Sequence, residues 1–335
     1  MTGTARDADA SVQVMRMMRG FMLSQALHVA SKLAVFDALR DGPLPVDRIA
    51  AACSAEPKAL HRLLRFLTAV DVLVEDDQGR FKATALGDAL RSDHPFSARP
   101  LALMYGAPLF WRPWGDLFET VKFGVTAFVR SHDHSFFEHL ALDSADAALF
   151  NAGMTSASRL DLRHVLEAYD FSGFRRIVDV GGGQGTLLQG ILERYSAARG
   201  VLCDLPSVVA NVARSMVSDR CELVGQDIFV SVPAHGDAYL LKRVLHDWND
   251  DDALRLLKNV RWAIASGGKL LVIESVVLPS NQPDPAKWMD LNMLALFPGR
   301  ERTADEFDGL FRSAGFQLTR IVPTAGVSIV EGEPV

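Results

Sequence analysis

Apolar side chains return every three or four residues between Ser11 and Leu39, with Met15, Met18, Met22, Ala26, Val29, Leu33 and Phe36 on one stripe. That period predicts an α-helix. Phe21, Leu23 and Leu27 lie beside the stripe, so the stretch is apolar on more than one face and needs partners on two sides. Docking on a second subunit and burial within its own domain both satisfy that need. Residues 1–10 are small and polar and are expected as a disordered tail.

The next stretch, 43–90, reads as a winged helix. PLPVDRIAAAC gives a first helix with Asp47 near its start. SAEPKALHRLLRFLTAVDVL gives a longer second one, with Ser54 as its expected cap and Pro57 in its first turn. VLVEDDQGRFKAT then alternates as a hairpin turning at Asp77-Gln78-Gly79. Lys58, Arg62 and Arg65 share one face of the second helix, and helix-turn-helix with a wing is a shape that binds DNA. Residues 101–170 look helical and carry many large side chains, among them Phe110, Trp111, Phe150 and Met154. Most are expected in the core, but such a density also suits a pocket for a flat apolar ligand.

From Arg175 the texture changes. Short apolar runs (RRIVDV, VLCDL, CELVGQD, DAYLLKRV, KLLVIESVVL) alternate with helical segments, and FQLTRIV and VSIVEG follow them. Thr303 and Glu306 form a capping box that opens the helix DEFDGLFRSAG. Strands spaced by helices predict a mostly parallel, doubly wound sheet. The expected organisation is therefore a tail over 1–10, a helical winged-helix domain over 11–100, a helical pocket region over 101–170, and an α/β domain over 171–335.

Composition narrows this picture only modestly. The 335 residues are 49% apolar and 23% charged, which suits a folded chain of two domains. A net charge of −6 gives no sign of a nucleic-acid partner. The cysteines Cys53, Cys203 and Cys221 are odd in number and lack metal-ligand spacing, which argues against disulfides and against zinc. With neither a secretory leader nor a long apolar run, the expectation is a cytoplasmic protein with no membrane partner.

The chemistry starts at DVGGGQG, Asp179 to Gly185, placed after a buried strand and before a helix. A dinucleotide fingerprint needs Gly-x-Gly-x-x-Gly/Ala. Counting from Gly181 puts Thr186 in the last place, and counting from Gly183 puts Leu188 there, so both fail. Asp179 with Gly181, Gly183 and Gly185 fits the acidic-x-Gly-x-Gly-x-Gly loop that binds S-adenosylmethionine. Asp204 ends the next strand, where a carboxylate can accept bonds from two ribose hydroxyls.

With these residues in view, the chain resembles the O-methyltransferases of the caffeic-acid and acetylserotonin class, including bacterial members that methylate aromatic polyketides and phenazines. The matching strings are IVDVGGGQGTLL, VLCDLPSVV, LLKRVLHDWNDDD, LLVIESVVLP and GRERTADEFDGLFRSAGF, together with GFMLSQALHVASKLAVFDAL and FNAGMTSASR. The resemblance spans nearly the whole chain, and LHDW with ERT is specific to the family. It implies a mostly helical winged-helix dimerisation domain ahead of a Rossmann-like methyltransferase sheet, a homodimer, S-adenosylmethionine as cofactor with no metal, and a small aromatic acceptor. It also implies His246 as general base flanked by Glu274 and Glu301, and a cofactor site including Gly181, Asp204, Leu205, Asp227, Ile228, Lys242 and Arg243. Leu296 and Phe297 stand before Pro298-Gly299, where plant members carry polar residues; that suits a more apolar ring system than a plant phenylpropanoid.

The reaction itself asks for such residues. Methyl transfer from a sulfonium is an in-line displacement, in which positioning supplies much of the rate. A phenol has a pKa of about 10 and is mostly protonated at neutral pH, so a base in reach is useful, and histidine is the usual one. His246 follows the strand DAYLLKRV at the carboxyl edge of the sheet, and Glu274 ends the next strand, near enough to bond the second ring nitrogen. Asp227 ends a strand and can accept from the adenine amino group. Phe110, Trp111, Phe150, Met154, Met293 and Phe297 are the candidates for the acceptor pocket. Two rival readings remain: a DNA-binding regulator that keeps a ligand domain, and a diverged relative that hydroxylates or decarboxylates a polyketide.

Overall fold

A turn at Arg19 and a left-handed Ala34 (φ 58°) cut the N-terminal apolar stretch into three helices, α1 Gly3–Met18, α2 Gly20–Lys32 and α3 Val35–Ala38, where the periodicity alone suggests one. A computed structural model of the chain describes residues 3–213, 217–279 and 281–335. Residues 3–10 are helical, contrary to the expected disordered tail over 1–10; the segment is rich in alanine (Ala5, Ala8 and Ala10), the strongest helix former. Met1 and Thr2 lie outside the described residues. The chain divides into two units, the first ending at Trp111 and the second running Arg112–Val335. The helical region expected over 101–170 is thus split between them.

In the first unit, β1 Leu44–Pro45, α4 Val46–Cys53, α5 Pro57–Thr68, β2 Leu73–Glu75 and β3 Arg80–Ala83 make the winged helix, with strand order β1-β3-β2. Glu56, not Ser54, caps α5 by accepting the Ala59 N–H at 2.7 Å; Ser54 instead ends α4 in a left-handed conformation. Asp76 closes the wing turn by accepting the N–H groups of Gln78 and Arg80. Phe36, Ile49, Leu60, Leu64, Leu67 and Phe81 fill the core. Helices α6 Ala85–Asp88 and α7 Arg99–Gly106 follow, and α8 Pro108–Gly115 carries the chain past the boundary. Within this unit Met17 is 78% and Phe21 55% exposed, so the apolar face of the first two helices stays uncovered.

The second unit opens with α9 Leu117–Phe123, α10 Ala127–His132, α11 Phe136–Leu142 and the long α12 Ser144–Ala168. Then strands and helices alternate: β4 Arg176–Val180, α13 Thr186–Arg194, β5 Arg199–Asp204, α14 Pro206–Ala210, β6 Cys221–Gly225, β7 Ala238–Lys242, α15 Asp250–Ala263 and β8 Lys269–Glu274. After a short strand β9 Val276–Val277 come α16 Pro285–Leu296, β10 Arg302–Thr303, α17 Ala304–Ser313, β11 Phe316–Pro323 and β12 Ser328–Pro334. The main sheet has seven strands in the order β6-β5-β4-β7-β8-β12-β11. Strands β4 to β8 are parallel, and β12 runs antiparallel to both β8 and β11.

Alternate side chains of the buried strands feed two cores. Tyr239 and Leu241 of β7 pack with Leu256, Leu257, Phe307 and Phe311 from α15 and α17. Ala238 and Leu240 pack on the other face with Val165, Leu188 and Ile191 from α12 and α13. The sheet is therefore doubly wound, as its pattern predicts. The chain leaves β4 toward β5 on one side and reaches β7 on the other, and a ligand crevice belongs at the carboxyl ends of such neighbours. Among the described residues no helix is long and apolar enough to cross a membrane.

Candidate active site

The loop after β4 is built by left-handed glycines: Gly181, Gly183 and Gly185 have φ of 68°, 57° and 76°. A side chain at Gly182 would collide with Leu202 and with the Asp179 carboxyl, so the loop lies flat against β5 and its own strand. Asp204 ends β5 and ties the loop down: one oxygen accepts the Gly183 N–H at 2.8 Å, the other the Leu205 N–H at 2.7 Å. An ionised carboxylate offers about four lone-pair sites, so capacity is left for two ribose hydroxyls. Burial pushes the Asp204 carboxyl up from its ordinary range, against those two bonds. Asp179 is fully buried under the loop, and burial drives its carboxyl to about 7 although Lys242 pulls the other way. One of its oxygens has no hydrogen-bond partner among the described residues. A glycine cradle, a strand-end carboxylate and an orphaned buried oxygen beneath them suit a polar, cationic cofactor such as S-adenosylmethionine.

The remaining cofactor candidates border the same strand ends. Leu205 follows Asp204 and is partly exposed. Asp227 lies past β6 and accepts the Phe229 N–H at 2.8 Å, while the Ile228 carbonyl accepts from Asn259 at 2.9 Å. Lys242 ends β7 and reaches Asp161 at 3.1 Å and Ser158 at 3.1 Å, both on α12. Arg243, in a left-handed turn (φ 54°), meets the same Asp161 oxygen at 3.2 Å. Asp161 joins two candidates to α12, and no sequence pattern singles it out, because its partners lie some eighty positions away in the chain.

His246 sits in the single turn Leu245–Asp247 that follows β7, and is 4% exposed. Its Nδ1 is 2.7 Å from the Glu301 carboxylate. The sequence reading puts Glu274 on that ring nitrogen; instead Glu274 accepts the main-chain N–H groups of Val244 (3.0 Å) and His246 (3.2 Å). The reason is local. Glu274 ends β8, in register with β7, and so reaches the backbone of the turn leaving β7. Glu301 arrives from elsewhere: β10 pairs with β9 just past Glu274, which brings the preceding residue to the ring. Because an ionised carboxylate only accepts, Nδ1 carries the proton and Nε2 is the basic nitrogen of neutral His246. Nε2 lies 3.6 Å from Asp247.

Burial opposes charge on this imidazole, but Asp247, Glu301 and Glu274 together outweigh it and raise its pKa to about 9. Burial also raises Asp247, to about 7, and Glu274. Arg302 adds a buried cation that donates to the Leu245 and Trp248 carbonyls, one on each side of His246. Sequence reasoning passes over it.

Of the pocket candidates, Phe150, Met154, Met293 and Phe297 belong to the second unit. The Phe297 ring lies 4.6 Å from Phe136, and Phe150 5.2 Å from Phe136. Phe137 joins them and stacks on Trp248, two residues past His246, at 5.6 Å and 24°. Met293 is buried one turn before Phe297 on α16, and Met154 follows Phe150 by one turn on α12. Phe136 and Phe137 are central to this cluster, although the sequence marks them only as part of an aromatic-rich stretch. Phe110 and Trp111 lie in the first unit, where Phe110 is buried against Tyr105 at 5.8 Å.

A parallel sheet closed by one reversed strand, with a glycine cradle at its switch point and a buried histidine–carboxylate pair one strand over, defines a methyltransferase of the S-adenosylmethionine-dependent class. Comparison with known proteins goes further: residues 114–317 match the O-methyltransferase domain family and residues 15–93 the O-methyltransferase dimerisation domain. The chain belongs to this O-methyltransferase family. It is 41% identical over 327 residues to a phenazine O-methyltransferase from Lysobacter antibioticus, covering 96% of each chain. It is 36% identical to an 8-amino-8-demethylriboflavin N,N-dimethyltransferase from Streptomyces davaonensis, covering 90% of this chain and 88% of that one. The crystal structure of human N-acetylserotonin methyltransferase in complex with S-adenosylmethionine superposes with a TM-score of 0.92 at 28% identity, over 97% of each chain. The protein is an S-adenosylmethionine-dependent O-methyltransferase, and these relatives do not favour the DNA-regulator or decarboxylase alternatives.

Proposed function

We propose that this enzyme methylates a hydroxyl of a small, flat aromatic acceptor, with His246 taking the proton. The observation that carries the reading is the buried 2.7 Å contact between His246 Nδ1 and Glu301, which fixes the tautomer and turns Nε2 into the free base. Bound S-adenosylmethionine supplies an electrophilic methyl group. Gly181, Gly183, Gly185, Asp204, Leu205, Asp227, Ile228, Lys242 and Arg243 are assigned to holding it. The Phe136, Phe150 and Phe297 cluster beside Met154 and Met293 is assigned to the acceptor ring. Flat rings favour such edge and offset contacts. The relatives named for a phenazine and for acetylserotonin support an aromatic acceptor.

A raised imidazole pKa brings the base closer to a phenol, while leaving less of its neutral form at neutral pH. A phenol near 10 and an imidazolium at about 9 are nearly matched, so the proton passes between them at little cost. An ordinary histidine would face a larger mismatch. The protein is further proposed to work as a homodimer joined through residues 11–40 and the winged helix, in keeping with its dimerisation-domain match.

Incubation with S-adenosylmethionine and a panel of aromatic phenols and aromatic amines should add one methyl mass to one class of phenol. A panel in which only amines gain mass would overturn the choice of acceptor atom. With the acceptor found, His246→Gln should lower kcat by about 10²–10⁴-fold and leave cofactor affinity nearly unchanged. Near-full turnover by this variant at neutral pH would remove the base assignment.

A further inference from the structure

The reacting histidine is carried by a short, irregular stretch. Leu245–Asp247 is a single 3-10 turn, and such turns have poorer hydrogen-bond geometry than an α-helix. Yet a base displaced by about 1 Å can lose on the order of 10²-fold in rate. The turn must therefore be held from outside. On its N–H side, Glu274 accepts from Val244 and His246. On its carbonyl side the holder is Arg302. One Nη donates to the Leu245 carbonyl at 3.0 Å, and the other to the Trp248 carbonyl at 3.0 Å and to Asp250 at 2.9 Å; Nε donates to the same Asp250 oxygen at 3.2 Å. The guanidinium is a rigid planar fork, and here it bridges two carbonyls that bracket the histidine.

Two further observations separate this from ordinary packing. Arg302 is 1% exposed, while the side chain of Asp250, its ionic partner among the described residues, is 56% exposed. Burying a cation whose ion-pair carboxylate is itself exposed is a weak route to stability, even with its hydrogen bonds made, and an apolar residue of similar size often serves a fold better. Its chain neighbour Glu301 holds the ring of the same histidine. Two consecutive residues thus grip one turn, one by the imidazole and the other by the backbone. Gly299 completes the grip: its backbone lies so close that a Cβ would fall 2.0 Å from the His246 carbonyl oxygen.

We propose that Arg302 is a positioning residue for methyl transfer, its guanidinium fixing the carbonyls on either side of His246 so that Nε2 keeps its aim at the acceptor hydroxyl. This rests on the reading of His246 as the base.

The test uses the full-length protein. Arg302→Lys keeps the charge and loses the fork; Arg302→Met keeps the stem and loses both. S-adenosylhomocysteine affinity is read by calorimetry, kcat with the phenol that accepts the methyl group, and the His246 imidazole by 15N NMR with S-adenosylhomocysteine bound. Arg302→Lys should bind S-adenosylhomocysteine normally, shift the His246 signals and lose about 10²-fold in kcat. In a His246→Gln background the same change should cost little, because the two residues act as one unit. Arg300→Met removes another cation from Asp250 and should leave kcat close to normal. Should Arg302→Met fail to fold, the lysine variant carries the test. A full, additive kcat loss in the His246→Gln background overturns the proposal, as do unchanged NMR signals with unchanged kcat, or an equal loss from Arg300→Met. Full turnover by His246→Gln alone instead sinks the base assignment; the NMR shift then still reports whether Arg302 holds the turn.

Discussion

A histidine raised to about 9 is cationic at neutral pH in the free enzyme, so the form that can accept a proton is scarce there. kcat/KM follows the ionisations of free enzyme and substrate. Its logarithm should therefore climb by about one per pH unit through neutrality and level off near 9. Glu301→Gln removes one of the charges that hold the imidazolium, so the level region should begin at lower pH, with a lower maximum because the ring has lost its orienting partner. A profile already flat at pH 7 would show that His246 does not limit the reaction. The residues behind this behaviour are unequally visible in the sequence. Asp204, His246 and Glu274 stand at strand ends, where an acidic or basic group after an apolar run draws notice, and Glu301 comes from the family string. Their pairing is not visible: the carboxylate on the imidazole comes from fifty-five positions downstream, and the β9–β10 pair helps bring it there. Arg302 and Asp161 escape notice for the same reason, since a buried charge in a one-dimensional string looks like any solvated one.

At the scale of elements, periodicity did most of the work. All seven strands of the main sheet lie where apolar runs place them, and the Thr303–Glu306 box opens α17. The errors fell where backbone conformation, not hydrophobicity, decides. Left-handed Ala34 breaks a helix that its side chains would continue, and left-handed Ser54 hands the α5 cap to Glu56. The loop between α16 and β10 is another such place. Gly299 is the one residue that lets it lie against the His246 turn, since any Cβ there meets main-chain atoms that have no freedom to yield. Gly299→Ala should push the two segments apart and carry Glu301 and Arg302 with them. The expected result is a loss of kcat of about 10²-fold or more, a fall in melting temperature, and S-adenosylhomocysteine affinity close to normal, since the glycine loop is built elsewhere. Full activity in this variant would show that the close approach is dispensable.

For the whole molecule, the two-unit organisation was legible as a change of texture, although the helical stretch over 101–170 carries no sign of where one unit ends. The uncovered face bearing Met17, Phe21 and Met22 is larger in kind than the scattered apolar residues every surface has. Sedimentation should find a dimer at micromolar concentration, and Phe21→Glu with Met17→Glu should shift it to monomer while the winged-helix core stays folded. A monomeric parent protein would remove the assigned interface. The order of the main sheet has another consequence, in time and not in space. Strand β12 is inserted between β8 and β11, and its first residue, Ser328, lies opposite Glu274. The strand that carries a carboxylate under the reacting histidine thus gains its second neighbour only when residues 328–334 have left the ribosome. The glycine cradle and β4 to β8 can pair as they emerge, yet the edge of β8 stays open until then. Exposed strand edges recruit other strands. Until β12 pairs, the chain therefore carries one more open strand edge than the finished sheet, on the strand that ends in Glu274.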